Sequence, residues 1–543
     1  MGNAAMAKTG ARSLTLVVAA SSAGTVLEWY DFYLYGSLAV AITRNFLSGV
    51  DEASGFILAL LVFSAGFAVR PLGSLVFGRL GDKVGRKNTF LVTLLLMGVA
   101  TFCVGLLPTF KQIGVASPLL LVTLRMVQGL ALGGEYGGAA TYVAEHAPLG
   151  RRGYYTSWIQ ATATAGLVMS LGSVLLVRGV LGEAAFQAWG WRLPFLLSAL
   201  LLMVSLWMRL KLHESPVFQQ MLAEGTTSRA PIKESLTRWP NLRLMLLALF
   251  GLVAGQGVVS YVGQIYVLFF VQRTLRVEEV LSNQLVAVAL ICSAPFYVLF
   301  GWLADRIGPR KIIFAGLVTA SAGYLLLFHG LTSALNPALA QAMRTAPATV
   351  LADPKTCSFQ FDPVGKAAFT SPCDVATAAL AKAGAPYTVV AGATPGEAVV
   401  AVGVSRLTFA AGSAKPTFEK ALGAALTAAG YPASADRARM NMPLALALLA
   451  AIEILVATVY GPIAVALVNM FPARVRYTSM SLPYHLGNGW FGGFLPPMAF
   501  ALVTATGNIY AGLAYPLGVM AMTLVVGVLF LRGRTNIDPE ATD

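Results

Sequence analysis

The sequence predicts an all-α integral membrane protein of twelve transmembrane helices in two pseudo-symmetric six-helix halves, the second interrupted by a small α+β insertion. Three observations carry that expectation. Only 11% of the 543 residues are charged and 57% are hydrophobic, whereas a soluble domain carries roughly 25% charge. Apolar runs such as 14–26, 91–107, 193–207 and 442–459 recur along the chain, on the scale of the ~20 residues a helix needs to cross hydrocarbon. A loop motif also occurs twice, six expected helices apart.

The apolar pattern places the spans at 14–42, 55–78, 89–109, 118–145, 154–178, 189–210, 243–271, 281–303, 311–331, 443–468, 477–505 and 508–531. These runs do not alternate in polarity, so strands of a lipid-spanning barrel are excluded. With the N-terminus inside, the inward segments hold 21 Lys and Arg, running from Lys8 and Arg12 through Arg209 and Lys211 to Arg532 and Arg534. The short outward loops hold five: Arg44, Lys111, Arg178, Arg273 and Arg276. That bias orients the chain with both termini in the cytoplasm. The net charge of +14 is therefore a topology signal, and nucleic acid is not an expected partner. The first apolar stretch runs on through Trp29 to Val40, longer than a cleaved signal peptide requires.

The repeat divides the chain. Gly78-Arg-Leu-Gly-Asp-Lys-Val-Gly-Arg-Lys87 follows the second span and Gly301-Trp-Leu-Ala-Asp-Arg-Ile-Gly-Pro-Arg310 the eighth, 223 residues later. A second pair, Pro148-Leu-Gly-Arg-Arg152 and Pro472-Ala-Arg-Val-Arg476, is offset by 324. The second half must then carry about 100 extra residues between its two motifs, as a repeat with a loop insertion does. The expected units are an N-terminal half (1–212), a cytoplasmic linker (213–242), the first part of the C-terminal half (243–331), a periplasmic insertion (332–442) and the remainder (443–543). In the insertion, 374–382 and 417–429 read as helices, and 387–390 and 398–404 as strands. Cys357 and Cys373 lie there, on an oxidising side, and a disulfide between them is expected, with two free thiols as the alternative.

The motifs resemble the major facilitator superfamily and, within it, the metabolite:proton symporter family. The resemblance rests on the doubled Gly-x-Leu-[Ala/Gly]-Asp-[Arg/Lys]-x-Gly loop, on Leu27-Glu-Trp-Tyr-Asp-Phe-Tyr33, Arg70-Pro-Leu-Gly73 and Trp189-Gly-Trp-Arg-Leu-Pro-Phe195. It rests also on Arg125-Met-Val-Gln-Gly-Leu-Ala-Leu-Gly-Gly-Glu-Tyr-Gly-Gly138 and Leu212-His-Glu-Ser-Pro-Val-Phe218. It covers the chain apart from the insertion. It implies a proton-coupled importer of a small organic acid or zwitterion in a bacterial inner membrane. Small metabolite and proton would be its partners, with lipid around a monomer.

Ionisable groups inside the hydrocarbon are functional candidates by their cost. Glu28 and Asp31 share a face of the first helix. Arg125, Gln128 and Glu135 lie on the fourth. Asp31, Glu135 and Glu28 are the candidate proton-coupling groups, with Arg125 as the changing partner of Asp31; a permanent Asp31–Arg125 pair holding two helices together is the alternative. Substrate-binding candidates are Arg125, Gln128, Tyr33, Gln256, Tyr261, Gln264, His485 and Asn488, with Glu453 and Tyr484 as further cavity candidates. Arg70, just before Pro71, reads as a structural charge near the inner face. In the loops, Asp82 is expected to accept from a helix N-terminus of the opposite half and Arg86 to pair with Glu145. Asp305 and Arg310 would repeat that arrangement in the second half, and all five are the expected gating residues.

No cofactor and no metal site are expected, protons being the coupling ion. The sequence carries no phosphate-binding loop, no metal-spaced His/Cys cluster and no nucleophile elbow, so an enzyme is not expected. A proton-independent facilitator, or a symporter of proline- or betaine-like osmolytes, is the nearest alternative. The fork of Arg125 favours an organic acid.

Overall fold

The computed structural model describes residues 2–47, 52–358, 370–392 and 394–531. Arg532 and Arg534, counted above as inward charges, lie outside the described residues, as do the side chains of Lys8 and Arg12.

Long helices dominate. The first half holds α1 (Gly2–Ser37), α2 (Glu52–Lys83), α3 (Arg86–Leu106), α4 (Ala116–His146), α5 (Arg152–Leu181) and α6 (Arg192–Leu210). The second holds α7 (Trp239–Thr274), α8 (Glu279–Ile307), α9 (Pro309–Leu335) and α10 (Met442–Val468). It continues with α11, formed by Arg476–Leu486 and Leu495–Thr506 around the π-helical turn Gly487–Gly492, and ends with α12 (Ala511–Phe530). Among the described residues, nine helices are long and apolar enough to cross a membrane. Their outer faces remain apolar, with Leu176, Leu200, Trp207 and Leu326 exposed, as lipid contact requires.

Glycines set the closest contacts. A Cβ on Gly73 of α2 would stand 2.0 Å from the carbonyl oxygen of Leu130, and one on Gly133 of α4 would stand 2.2 Å from that of Arg70. Only hydrogen fits there, so α2 and α4 pack backbone to backbone, as small residues permit in membrane bundles. Between the halves, α2 lies along α11 and α5 along α8, two contacts that repeat each other about the pseudo-symmetry.

Helix α7 is not regular. It contains π-helical turns at Leu249–Val253, Val262–Tyr266 and Phe270–Thr274. Each π turn inserts one residue and rotates the following side chains, a device common at functional sites.

Between α9 and α10 lies a four-stranded sheet of β1 (Ala348–Ala352), β2 (Tyr387–Ala391), β3 (Glu397–Val402) and β4 (Ser405–Ala410), in the order β2-β1-β3-β4. β1 and β2 are parallel, joined by the crossover helix Pro372–Ala383; β3 and β4 form an antiparallel hairpin. Burial alternates along β1 and β3, so one face of the sheet is covered and the other open. The strand expected over 398–404 ends earlier, because Gly403 at φ 56° starts the hairpin turn. Cys357 and Cys373 are disulfide-bonded.

This cap sits on the second half. Tyr387 donates its backbone N–H to Gly507 O (3.0 Å) and its hydroxyl to Thr504 O (3.0 Å). Arg276, between α7 and α8, donates to Ala433 O (3.2 Å) and Lys382 O (2.9 Å). Burial in this joint pushes the Tyr387 phenol up, which keeps it a neutral donor.

Candidate functional site

The repeated loops lie on one face of the bundle, here the loop face, and they lock the halves together. Asp82 sits where α2 ends, opposite the N-terminus of α11. Its carboxylate accepts from Thr478 N (2.9 Å), Thr478 Oγ1 (2.7 Å) and Tyr477 N (3.3 Å). A carboxylate at the unsatisfied N–H groups of a helix start is favoured by both hydrogen bonding and the helix dipole. Arg86 pairs with Asp82 (2.8 Å) and Glu145 (3.3 Å), and donates to Ala473 O in the other half (3.0 Å). Glu145 also meets Arg476 at 3.2 Å. In the repeat, Asp305 accepts from Gly153 N (2.7 Å) and Tyr154 N (2.8 Å) at the start of α5. Arg310 differs from the expectation: it donates to the carbonyl oxygens of Gly527 (3.1 Å) and Leu531 at the end of α12, within its own half. Carbonyls at a helix C-terminus carry partial negative charge and attract a guanidinium.

Midway along the bundle the halves part around a narrow cavity lined by Glu28, Phe32, Arg70, Tyr261, Gln264 and Asn488, with Trp29, Ser260, Tyr460 and Tyr484 completing the wall. A recess beside it joins Arg70 to Asp31, Arg125 and Gln128. Toward the cap, a vestibule runs past Tyr33, Gln264, Phe269, Gln272 and Glu279.

Within the recess Asp31 is fully engaged. Arg125 Nη1 donates to Oδ2 (2.9 Å) and Gln128 Nε2 to Oδ1 (2.9 Å), while Gln128 also reaches Thr101 (2.9 Å). Arg125 lies over the ring of Tyr35, 3.9 Å from its centroid. Its Nε and Nη2 have no hydrogen-bond partner among the described residues. Arg70 corrects the sequence reading: it is 7% exposed and lines the cavity, over the ring of Phe67 at 4.3 Å. Helix α2 continues through Pro71 to Lys83, which carries Arg70 about 20 Å from the helix end at 1.5 Å per residue.

Other expected residues divide. Glu28, Tyr261, Gln264 and Asn488 line the cavity, and Tyr33 lines the vestibule. Gln256 and Asn488 pair through their amides (3.1 and 3.2 Å). His485 is 1% exposed, edge-on to Tyr484, with neither ring nitrogen bonded among the described residues. Glu135 does not face the cavity. It is bound by Arg209 of α6 and by Thr93 (3.1 Å). Arg209, counted by sequence as an inward surface charge, is 1% exposed and stacked on Phe90 at 3.4 Å. The aromatic wall was also missed in part: Tyr136 and Tyr484 stack face to face across the halves at 3.6 Å.

The family model for "Sugar (and other) transporter" matches residues 16–239. The chain is 37% identical to the shikimate transporter of Escherichia coli (strain K12) over 316 residues, 57% of this chain and 71% of that one. It is 36% identical to the inner membrane metabolite transport protein YhjE of the same organism over 338 residues, 61% and 76% of the two chains. It is likewise 36% identical to the proline/betaine transporter of that organism over 316 residues, 56% of this chain, and spans 62% of that relative's length. Among solved structures, the proton:xylose symporter XylE superposes with a TM-score of 0.58 at 14% identity, covering 96% of each chain, a likeness of fold alone. The chain belongs to the major facilitator superfamily and, within it, to the family of bacterial metabolite carriers that includes the shikimate and proline/betaine transporters, a family of transporters and not of enzymes.

Proposed function

We propose that the chain is a secondary active transporter that imports a small organic acid or zwitterionic metabolite together with a proton. Asp31 carries the proton and Arg125 is its changing partner. The observation that carries this reading is the buried Asp31–Arg125 pair, 2.9 Å apart, in a recess that opens beside a central cavity between two half-molecules. A guanidinium beside a carboxylate favours its charged form; a substrate carboxylate that draws Arg125 away leaves Asp31 easier to protonate. Proton and solute are thereby linked reciprocally.

The wider architecture of the proposal is twelve spans in a bacterial inner membrane, both termini cytoplasmic, with the cap in the periplasm. The loop face is then the cytoplasmic face, closed in this structure, and alternating access breaks the Asp82 and Asp305 contacts. The functional unit is a monomer in lipid, because one chain supplies both walls of the cavity. No cofactor takes part.

One observation favours the zwitterion arm. Glu28 and Arg70, an acid and a base, line the same cavity, and neither enters an ion pair among the described residues. A solute bearing both charges complements both, and Trp29, Tyr261 and Tyr484 in the wall are aromatic groups of the kind that receive a cationic end.

Uptake into proteoliposomes tests the reading, with labelled shikimate, other organic acids, proline and glycine betaine, with and without an inward proton gradient. Accumulation above equilibrium that an uncoupler abolishes is expected. Transport that only equilibrates overturns proton coupling and leaves a facilitator.

A further inference from the structure

Most buried acids of the bundle have a guanidinium in contact. Asp31 has Arg125, Asp82 and Glu145 have Arg86, and Glu135 has Arg209. Glu453, midway along α10, has none. It is 1% exposed, enters no ion pair among the described residues, and neither carboxyl oxygen has a hydrogen-bond partner among them.

Its surroundings are close and uncharged. A Cβ on Gly263 would lie 3.3 and 3.4 Å from its two oxygens, so the carboxyl rests on the backbone of the π turn Val262–Tyr266. Val456, one turn along α10, packs on the same glycine. The titratable groups that interact with it electrostatically among the described residues are phenols: Tyr33 from α1, Tyr297 from α8 and Tyr324 from α9. A carboxylate ion in such a site has no cation and no donor within hydrogen-bond reach among the described residues, and an isolated buried charge of that kind is avoided by neutralisation.

We propose that Glu453 is a second proton-binding residue, held as the neutral carboxylic acid in this state, in the half opposite Asp31. The two carboxyls then hold complementary states. Asp31 has both carboxyl oxygens filled by donors from Arg125 and Gln128, and Glu453 is loaded. Glu453 is also wired to the cavity without lining it. Gly263 precedes Gln264, which borders both cavity and vestibule, and Tyr33 is two residues from Asp31 on α1. A π turn that straightens when the halves re-pack moves Gly263 off the carboxyl and admits water. Glu453 then ionises by giving its proton to that water. No other bond is made or broken.

The inference rests on the symport reading for its purpose, but its test does not. Infrared spectra of the full chain in lipid report a protonated carboxyl directly, with no solute and no gradient. The carbonyl stretch of a protonated, non-hydrogen-bonded carboxyl is expected in the wild type. It should fall by one group in Glu453→Gln and persist in Asp31→Asn. Selective carbon-13 labelling of glutamate must shift the band in the wild type alone, whatever the yield of the variant. No such band, a band that labelled glutamate does not shift, or one that Glu453→Gln leaves intact each overturns the proposal. Any of these leaves coupling through Asp31 standing. Conversely, a wild type that only equilibrates its solute removes the symport reading while the protonated Glu453 remains.

Discussion

Asp31 and Arg125 are 94 positions apart in sequence and 2.9 Å apart in the structure, with Gln128 filling the second oxygen of the carboxylate. The pair is buried, yet two nitrogens of the guanidinium are left without partners among the described residues. A purely structural bridge would be expected to satisfy them, since unsatisfied buried donors are unfavourable. Asp31→Asn keeps the shape and removes the titration. Exchange of labelled for unlabelled solute should survive, while accumulation should fall to equilibrium. One coupled proton supplies about a tenfold concentration ratio for each pH unit of gradient, so the loss should grow by that factor with each unit imposed. Unimpaired accumulation in Asp31→Asn would make the pair a helix–helix tie.

Asp82 and Asp305 do the same work on opposite halves: each carboxylate closes over two backbone N–H groups at the start of a helix across the interface. Hydrogen bonds to a charged group are worth about 1.5–3 kcal/mol each. Asp82→Asn and Asp305→Asn should each shift the balance toward a state open on the loop face, by roughly tenfold or more for such an energy. Cysteine labelling at Thr478, next to Gly78, should accelerate in both variants. Equal labelling in variants and wild type would mean that other contacts keep this face shut.

What was legible in the sequence were features fixed by local spacing. Glu28 and Asp31 share a helical face whatever surrounds them, and the loop motif announces itself by recurring. Arg209 was not legible. It stands at the end of an apolar run, where the positive-inside pattern explains a surface charge equally well, and only the packing of α6 on α3 brings it to Glu135. Arg70 was misread because it stands late in the span expected at 55–78, which suggests the inner face; α2 continues to Lys83 and the side chain lines the cavity. The π turns of α7 left no mark beyond scattered glycines, since one inserted residue changes no hydrophobic count. Strand β4 was missed because Gly403 and Val404 were read as strand when they form the turn of a hairpin.

Glu135 of α4 and Arg209 of α6 are both 1% exposed and pair with each other, α6 itself packing on α1 and α3. Removing one member of a buried pair leaves the other charge uncompensated, at about 3–5 kcal/mol. Glu135→Gln should therefore lower the thermal stability of the purified protein, and Arg209→Met alone should do the same. The double replacement should recover much of that loss. If Glu135→Gln instead leaves stability unchanged and abolishes accumulation, Glu135 is a proton site and its contact with Arg209 is a functional one.

The cap makes a different demand, because its sheet is small and one face is open. Cys373 is buried at the start of the helix Pro372–Ala383, and Cys357 follows β1. Their bond closes a separation of 16 residues, which constrains the unfolded segment by about 3 kcal/mol in the chain-entropy account. Other ties cross the same segment: Asp374 accepts from Ser358 N (2.7 Å) and Ser358 Oγ (3.0 Å). Cys357→Ser with Cys373→Ser should thus loosen the cap without unfolding the bundle. Limited proteolysis should cut within 353–358 faster than in wild type, while the helical core melts at the same temperature. The joint at Tyr387 and Arg276 is anchored wholly to the second half, so solute uptake should change less than twofold, well under the 1.4 kcal/mol that a factor of ten represents. A large loss of uptake in the disulfide-free protein would mean that an ordered cap is required by the carrier itself.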